Sequence, residues 1–166
     1  MVSGAPGSGK TTLARAMCSE LHLPLLSKDT IKDALLETIG AEDIDASRRL
    51  GRAAIAVMLA LAQQTHGAVL ESVWRRSLAV DDLGRLGGRV VEVFCRCPAD
   101  VARGRYAGRD GRDPGHFDDE RLDDDLWRGE TAEPIAGGWP VIEVDTDRSV
   151  DTGAVAHLIK STLDTH

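Results

Sequence analysis

The chain has 166 residues, 27 acidic against 20 basic, for a formal charge of −7; that length suits one domain with a sizeable hydrophobic core. An apolar fraction of 42% and a charged fraction of 28% are those of a globular protein and exclude disordered and fibrous classes. The acidic balance argues against extended nucleic-acid binding, which draws on clustered Lys and Arg. No apolar run nears the ~20 residues of a membrane span and the start lacks signal-peptide order, so a cytoplasmic protein is expected.

Short apolar runs alternate with stretches whose apolar residues recur three and four apart, the pattern of a parallel sheet covered by helices. The first strand is predicted at 1–3, and the residues after it, 4–11, spell GAPGSGKT, a full match to GxxxxGK[ST]. Glycine lets backbone amides approach phosphate oxygens, and the helix N-terminus that follows favours an anion. Gly4, Ala5, Pro6, Gly7, Ser8, Gly9, Lys10, Thr11 and the adjoining Thr12 are therefore expected to bind a nucleoside triphosphate. Lys10 would reach the β- and γ-phosphates, and the Thr11 hydroxyl would hold Mg²⁺.

A helix at 10–21 leads to a strand at 24–26 and then to SKDTIK at 27–32. Asp29, at the carboxyl end of that strand, faces the region where ligands bind in open α/β sheets. Two readings of it are even by position: a base for a substrate hydroxyl, or the N-cap of the next helix, 30–39. Lys32, one turn on, is a candidate to hold the substrate. In the following helix, 46–64, Leu50, Ala54, Val57, Met58 and Leu61 are expected to make the core face. A strand at 68–71 ends in Glu71, with Trp74 and Arg75 just beyond; Trp74 either stacks on a ligand or packs.

A short helix at 78–86, a strand at 90–95 and a helix at 98–106 follow. The stretch YAGRDGRDPGH, 106–116, is too rich in Gly, Arg and Asp to be anything but a loop, and a short lid is placed at about 106–117. After the fourth strand Arg103, Arg105, Arg109 and Arg112 concentrate positive charge, whereas FDDERLDDDLW at 117–127 reads as a solvated acidic helix. A strand at 141–144 and a helix at 150–163 complete a single domain, 1–166. Cys18, Cys95 and Cys97 form no CxxC pair and read as buried thiols. The five histidines, His116 among them, are scattered without metal-site spacing and are assigned surface or helix-end positions.

GAPGSGKT followed by SKDTIK resembles the AAA-type P-loop kinases that include polynucleotide kinase, zeta toxins and chloramphenicol phosphotransferase. In those proteins a GxPGSGK[ST] loop precedes a [ST]xDxx[RK] segment whose aspartate is the base. The resemblance implies an α/β, three-layer P-loop NTPase fold with a five-stranded parallel sheet in the order 2-3-1-4-5, and it tips Asp29 toward catalysis. Lys32 stands where many members have Arg and cannot make the same bidentate fork. Glu71 and Arg75 are similar to the ExTxR segment of zeta toxins, which implies acceptor binding for both or, for Glu71, Mg²⁺ through water; Trp74 departs from that pattern. Arg105 and Arg109 resemble the RxxxR of the group's lid, implying that they close over the transferring phosphoryl group. Glu133, Pro134, Ile135 and the strand-end Val144, Asp145, Thr146 resemble its C-terminal pieces, Asp145 near the adenine.

The expected function is an ATP-dependent phosphotransferase that takes Mg·ATP and a small hydroxylated acceptor, such as an antibiotic, a sugar-like metabolite or a nucleoside. Its alternatives are a polynucleotide 5′-hydroxyl kinase and a non-catalytic nucleotide-binding module.

Overall fold

The computed structural model describes residues 1–108, 114–117 and 127–165. Five strands, β1 (Val2–Ser3), β2 (Leu25–Ser27), β3 (Val69–Glu71), β4 (Glu92–Arg96) and β5 (Val141–Asp145), form one parallel sheet in the order β2-β3-β1-β4-β5. The expected strand order is therefore the observed one. Among the described residues six α-helices accompany it: α1 (Lys10–Leu21), α2 (Lys28–Ile39), α3 (Ile44–Ala62), α4 (Arg76–Gly84), α5 (Ala99–Ala107) and α6 (Thr152–Thr165).

Alternation along the strands creates the three layers, because successive side chains point to opposite faces of a sheet. Val69 and Val93 join Leu13, Met17, Val155 and Ile159 beneath α1 and α6. Leu70 points the other way, to Met58, Trp74 and Leu83 beneath α3 and α4. Registers Ser27↔Glu71 and Val2↔Glu71 set the ends of β2 and β3 beside β1, so their polar terminal residues meet where the phosphate loop begins.

Three expectations shift. The second helix starts at Lys28, with Ser27 at its N-cap, because β2 runs through Ser27 and the helix follows without a loop. Asp29 therefore lies in the first turn and is not the cap. In α3 the buried positions are Ser47, Ala54 and Met58. Val57 and Leu61 are each 42% exposed, since a 3.6-residue repeat through Ala54 and Met58 carries them to the outer side. His116 is buried, 1% exposed, because it fills a polar gap between α2 and α3 described below.

Glu92 opens β4 and is fully buried. Its carboxylate accepts from Ser3 Oγ (2.6 Å), Ile135 N (2.9 Å), Ala136 N (3.0 Å) and Trp139 Nε1 (3.2 Å). A buried carboxylate persists only when so bonded, and this one pins the 133–139 stretch under the sheet, with Ile135 in the core. Among the described residues no helix is long and apolar enough to cross a membrane.

Candidate active site

After Ser3 the chain turns through Gly4 (φ 134°), Gly7 (φ 75°) and Gly9 (φ 87°) into α1, conformations open to glycine and strained for other residues. At Gly7 space is the second constraint. A Cβ there would stand 2.0 Å from the Ala102 carbonyl oxygen, so α5 lies directly against the loop. Gly9 gives α1 no side-chain cap, which leaves the first-turn amides for an anion. Ser8 Oγ is buried without a hydrogen-bond partner among the described residues, an arrangement that a phosphate oxygen would satisfy. Lys10 Nζ reaches back across the loop to the Ala5 carbonyl at 2.8 Å.

Glu71, on the strand between β1 and β2, is buried, 4% exposed. It accepts from Ser27 Oγ at 2.7 Å and from Thr11 Oγ1 at 3.4 Å. Hydroxyl and carboxylate oxygens are the hard donors Mg²⁺ takes. The donor set fits a divalent ion whose remaining ligands are phosphate oxygens and water. Cys95, behind the loop on β4, has its thiol pushed up to about 12 chiefly by burial, with Lys10 acting in the opposite direction. It stays a protonated packing group.

Asp29 projects from the first turn of α2, partly exposed, with Lys28 Nζ on its carboxylate at 2.9 Å. Lys10, Thr11, Lys28, Asp29, Glu71 and Arg75 all line one cleft of about 860 Å³, within the range of small-molecule sites. Lys32 reaches the same cleft but is fully buried, its Nζ 2.6 Å from Ser47 Oγ and 3.5 Å from His116 Nδ1. His116 Nε2 in turn lies 2.5 Å from Asp33 Oδ1. Lys32 thus ties α2 to α3 and to the 114–117 stretch. Trp74 also lines the cleft, yet it is 4% exposed and its indole donates to the Val2 carbonyl at 3.2 Å, so its ring packs in the core.

Arg105 lies at the other edge of the loop. It donates to the Thr146 carbonyl at 3.1 Å and stands 3.6 Å from Asp147, beside the strand end at Asp145. Thr146 also borders Gly9, 3.6 Å from where a Cβ would stand. Arg105, Asp145 and the phosphate loop therefore share one rim. Burial raises the Cys97 thiol there, against the opposing pull of Arg105. Arg109, Arg112, part of the expected lid (109–113) and the acidic stretch 118–126 lie outside the described residues.

Sequence reasoning gave no role to Trp127, whose indole donates to the Pro6 carbonyl at 2.9 Å. Its ring meets Tyr106 edge-on at 5.3 Å and carries Arg103 at 5.1 Å over its face. A tryptophan closing an otherwise acidic run was the available signal, because an apolar ring in such a stretch needs somewhere to pack. Lys28 was likewise passed over for its neighbour Asp29.

A protein-family model described as an AAA domain matches residues 1–130. Comparison with curated protein sequences finds no match. Among solved structures, a candidate kinase from Chloroflexus aurantiacus J-10-fl is 30% identical with a TM-score of 0.82, the match covering 98% of this chain and 96% of that one. A sugar kinase from a Janibacter species is 20% identical (TM-score 0.60; 98% and 92% covered). Shikimate kinase from Acinetobacter baumannii is 19% identical (TM-score 0.55; 99% and 91% covered); at that identity the likeness is one of fold. With the phosphate loop, the strand order and the family match in agreement, the chain belongs to the AAA-domain family and is by fold a P-loop kinase.

Proposed function

We propose that the chain is an ATP-dependent phosphotransferase that moves the γ-phosphate of Mg·ATP to a hydroxyl of a small molecule. The observation that carries this reading is the shared cleft: the phosphate loop at one end, and Asp29 in the same cavity on the first turn of α2. The kinase names of the similar structures, acting on sugars, shikimate or deoxyadenosine, support an acceptor of that size.

Loop amides, Ser8 and Lys10 would hold the phosphates, while Thr11 would hold Mg²⁺ directly and Glu71 through water. A bound Mg²⁺ would offset the negative charge of the phosphates during transfer. Asp29 takes the proton of the acceptor hydroxyl as its oxygen bonds to the γ-phosphorus, and the bond to the β-phosphate oxygen breaks to release ADP. Lys28 orients the Asp29 carboxylate, and Arg75, at the start of α4, contacts the acceptor. Arg105 and Asp145 border the nucleoside end, and Arg109 is assigned to the closing lid with Arg105. The test is transfer from γ-labelled ATP to a panel of antibiotics, sugars and nucleosides: labelled product with wild type and none with Lys10→Ala is expected. ATP binding with no product and no hydrolysis would reject the reading in favour of a binding module.

A further inference from the structure

The cleft differs in charge from the molecule that holds it. Among the described residues seven Lys or Arg and three Asp or Glu line it, although acidic residues outnumber basic ones 27 to 20 in the whole chain. Several of those cations are already engaged: Lys10 with the loop, Lys32 with Ser47, Lys28 with Asp29 at 2.9 Å, and Arg48 with Asp45 at 3.0 Å. Arg52 and Arg75 have no carboxylate within ion-pairing distance among the described residues. They come from different elements, α3 and the turn before α4. Gly51 sits 3.6 Å, from its would-be Cβ, to the Lys28 side chain, so Arg52 belongs to the end of the cleft nearer Asp29.

The other end carries a row of apolar side chains beside Asp82 and Arg85. Ile55 and Leu59, further along the same face of α3, line the cavity with Leu78 and Leu86 from α4 and its following turn. Gln63 Nε2 donates to the Arg85 carbonyl at 3.2 Å, joining the C-terminal ends of α3 and α4.

We infer that the acceptor is a small hydroxylated anion, bearing a carboxylate or phosphate that Arg52 and Arg75 grip beside the reacting hydroxyl, with an apolar body lying between α3 and α4. The acceptor's role rests on the phosphotransferase reading. Guanidinium groups match both anions through paired N–H donors, and a cleft with apolar walls focuses their field.

The experiment is isothermal titration of the full chain, saturated with Mg·ADP, against matched probes: mandelate and its neutral amide, glycerol 3-phosphate and glycerol. Each acid should bind about tenfold or more tightly than its neutral partner, and the pair of acids distinguishes carboxylate from phosphate. Arg52→Gln with Arg75→Gln should weaken the bound acid about tenfold or more, with Mg·ADP affinity retained as evidence of an intact fold. Equal affinity for acid and neutral partner, no binding of either acid, or an unchanged affinity in the double variant overturns the inference. So does binding confined to a 5′-hydroxyl oligonucleotide. Transfer from γ-labelled ATP separates the two readings. Acid binding with no transfer to any hydroxylated compound rejects the phosphotransferase and keeps the anion-binding cleft. Transfer as fast to neutral acceptors as to acids does the reverse.

Discussion

Trp127 donates to the Pro6 carbonyl across 121 positions of the chain, and a contact at that separation leaves no local pattern to read. The phosphate loop, by contrast, is continuous in sequence, so its eight residues were legible from spacing alone. Asp29 is an intermediate case: its segment named it, but only the start of α2 at Lys28 removed the capping alternative. Lys32 and His116 show the opposite limit, since a buried Lys–Ser–His contact joins three elements that the sequence presents separately. Trp127→Phe keeps the ring on Tyr106 and removes one hydrogen bond to the loop. Because such a bond is worth about 1 kcal/mol, the variant's ADP affinity should fall roughly threefold to tenfold, read by titration. An unaltered affinity would show that the indole does not position the loop.

Elements were read more surely than their limits. All five strands and six helices were anticipated, yet β2 and α2 abut where a break was expected, and α3 buries Ala54 and Met58 but not Val57 or Leu61. The apolar pattern in α3 is nearly continuous, so periodicity alone could not choose its inward face; the cleft lined by Ile55 and Leu59 supplies a second apolar surface. The packing of α5 on the loop gives a test with an internal control. Gly7→Ala would drive a methyl into the Ala102 backbone at a position already at φ 75°. It should lower stability by about 1–3 kcal/mol and abolish nucleotide binding. Gly104→Ala, inside α5 with nothing within 4 Å, should instead stabilise by up to about 1 kcal/mol. Denaturant melts of the two variants check both signs.

For the whole molecule, the β/α alternation was enough to anticipate a parallel sheet covered by helices, whereas the strand order came from the resemblance to the P-loop kinases and agrees with the one observed. The hub at Glu92 was not visible: read as a strand residue, it carries four hydrogen bonds that connect β1, β4 and the 133–139 stretch. Glu92→Ala strands those donors in the interior, and at about 1–3 kcal/mol for each unsatisfied group it should cost at least about 3 kcal/mol of unfolding free energy. A thermal melt little changed from wild type would show that the stretch is held by other means.

Asp29 and the phosphate loop share one cleft, and the account's central claim is that Asp29 takes the proton when phosphate moves across it. Its most direct measurement is single-turnover transfer from γ-labelled ATP to an accepted hydroxyl compound by wild type and Asp29→Asn, with ATP affinity determined in parallel. The expected result is unchanged ATP binding and a transfer rate lowered roughly 10²–10⁴-fold. Transfer by Asp29→Asn at the wild-type rate would contradict the claim.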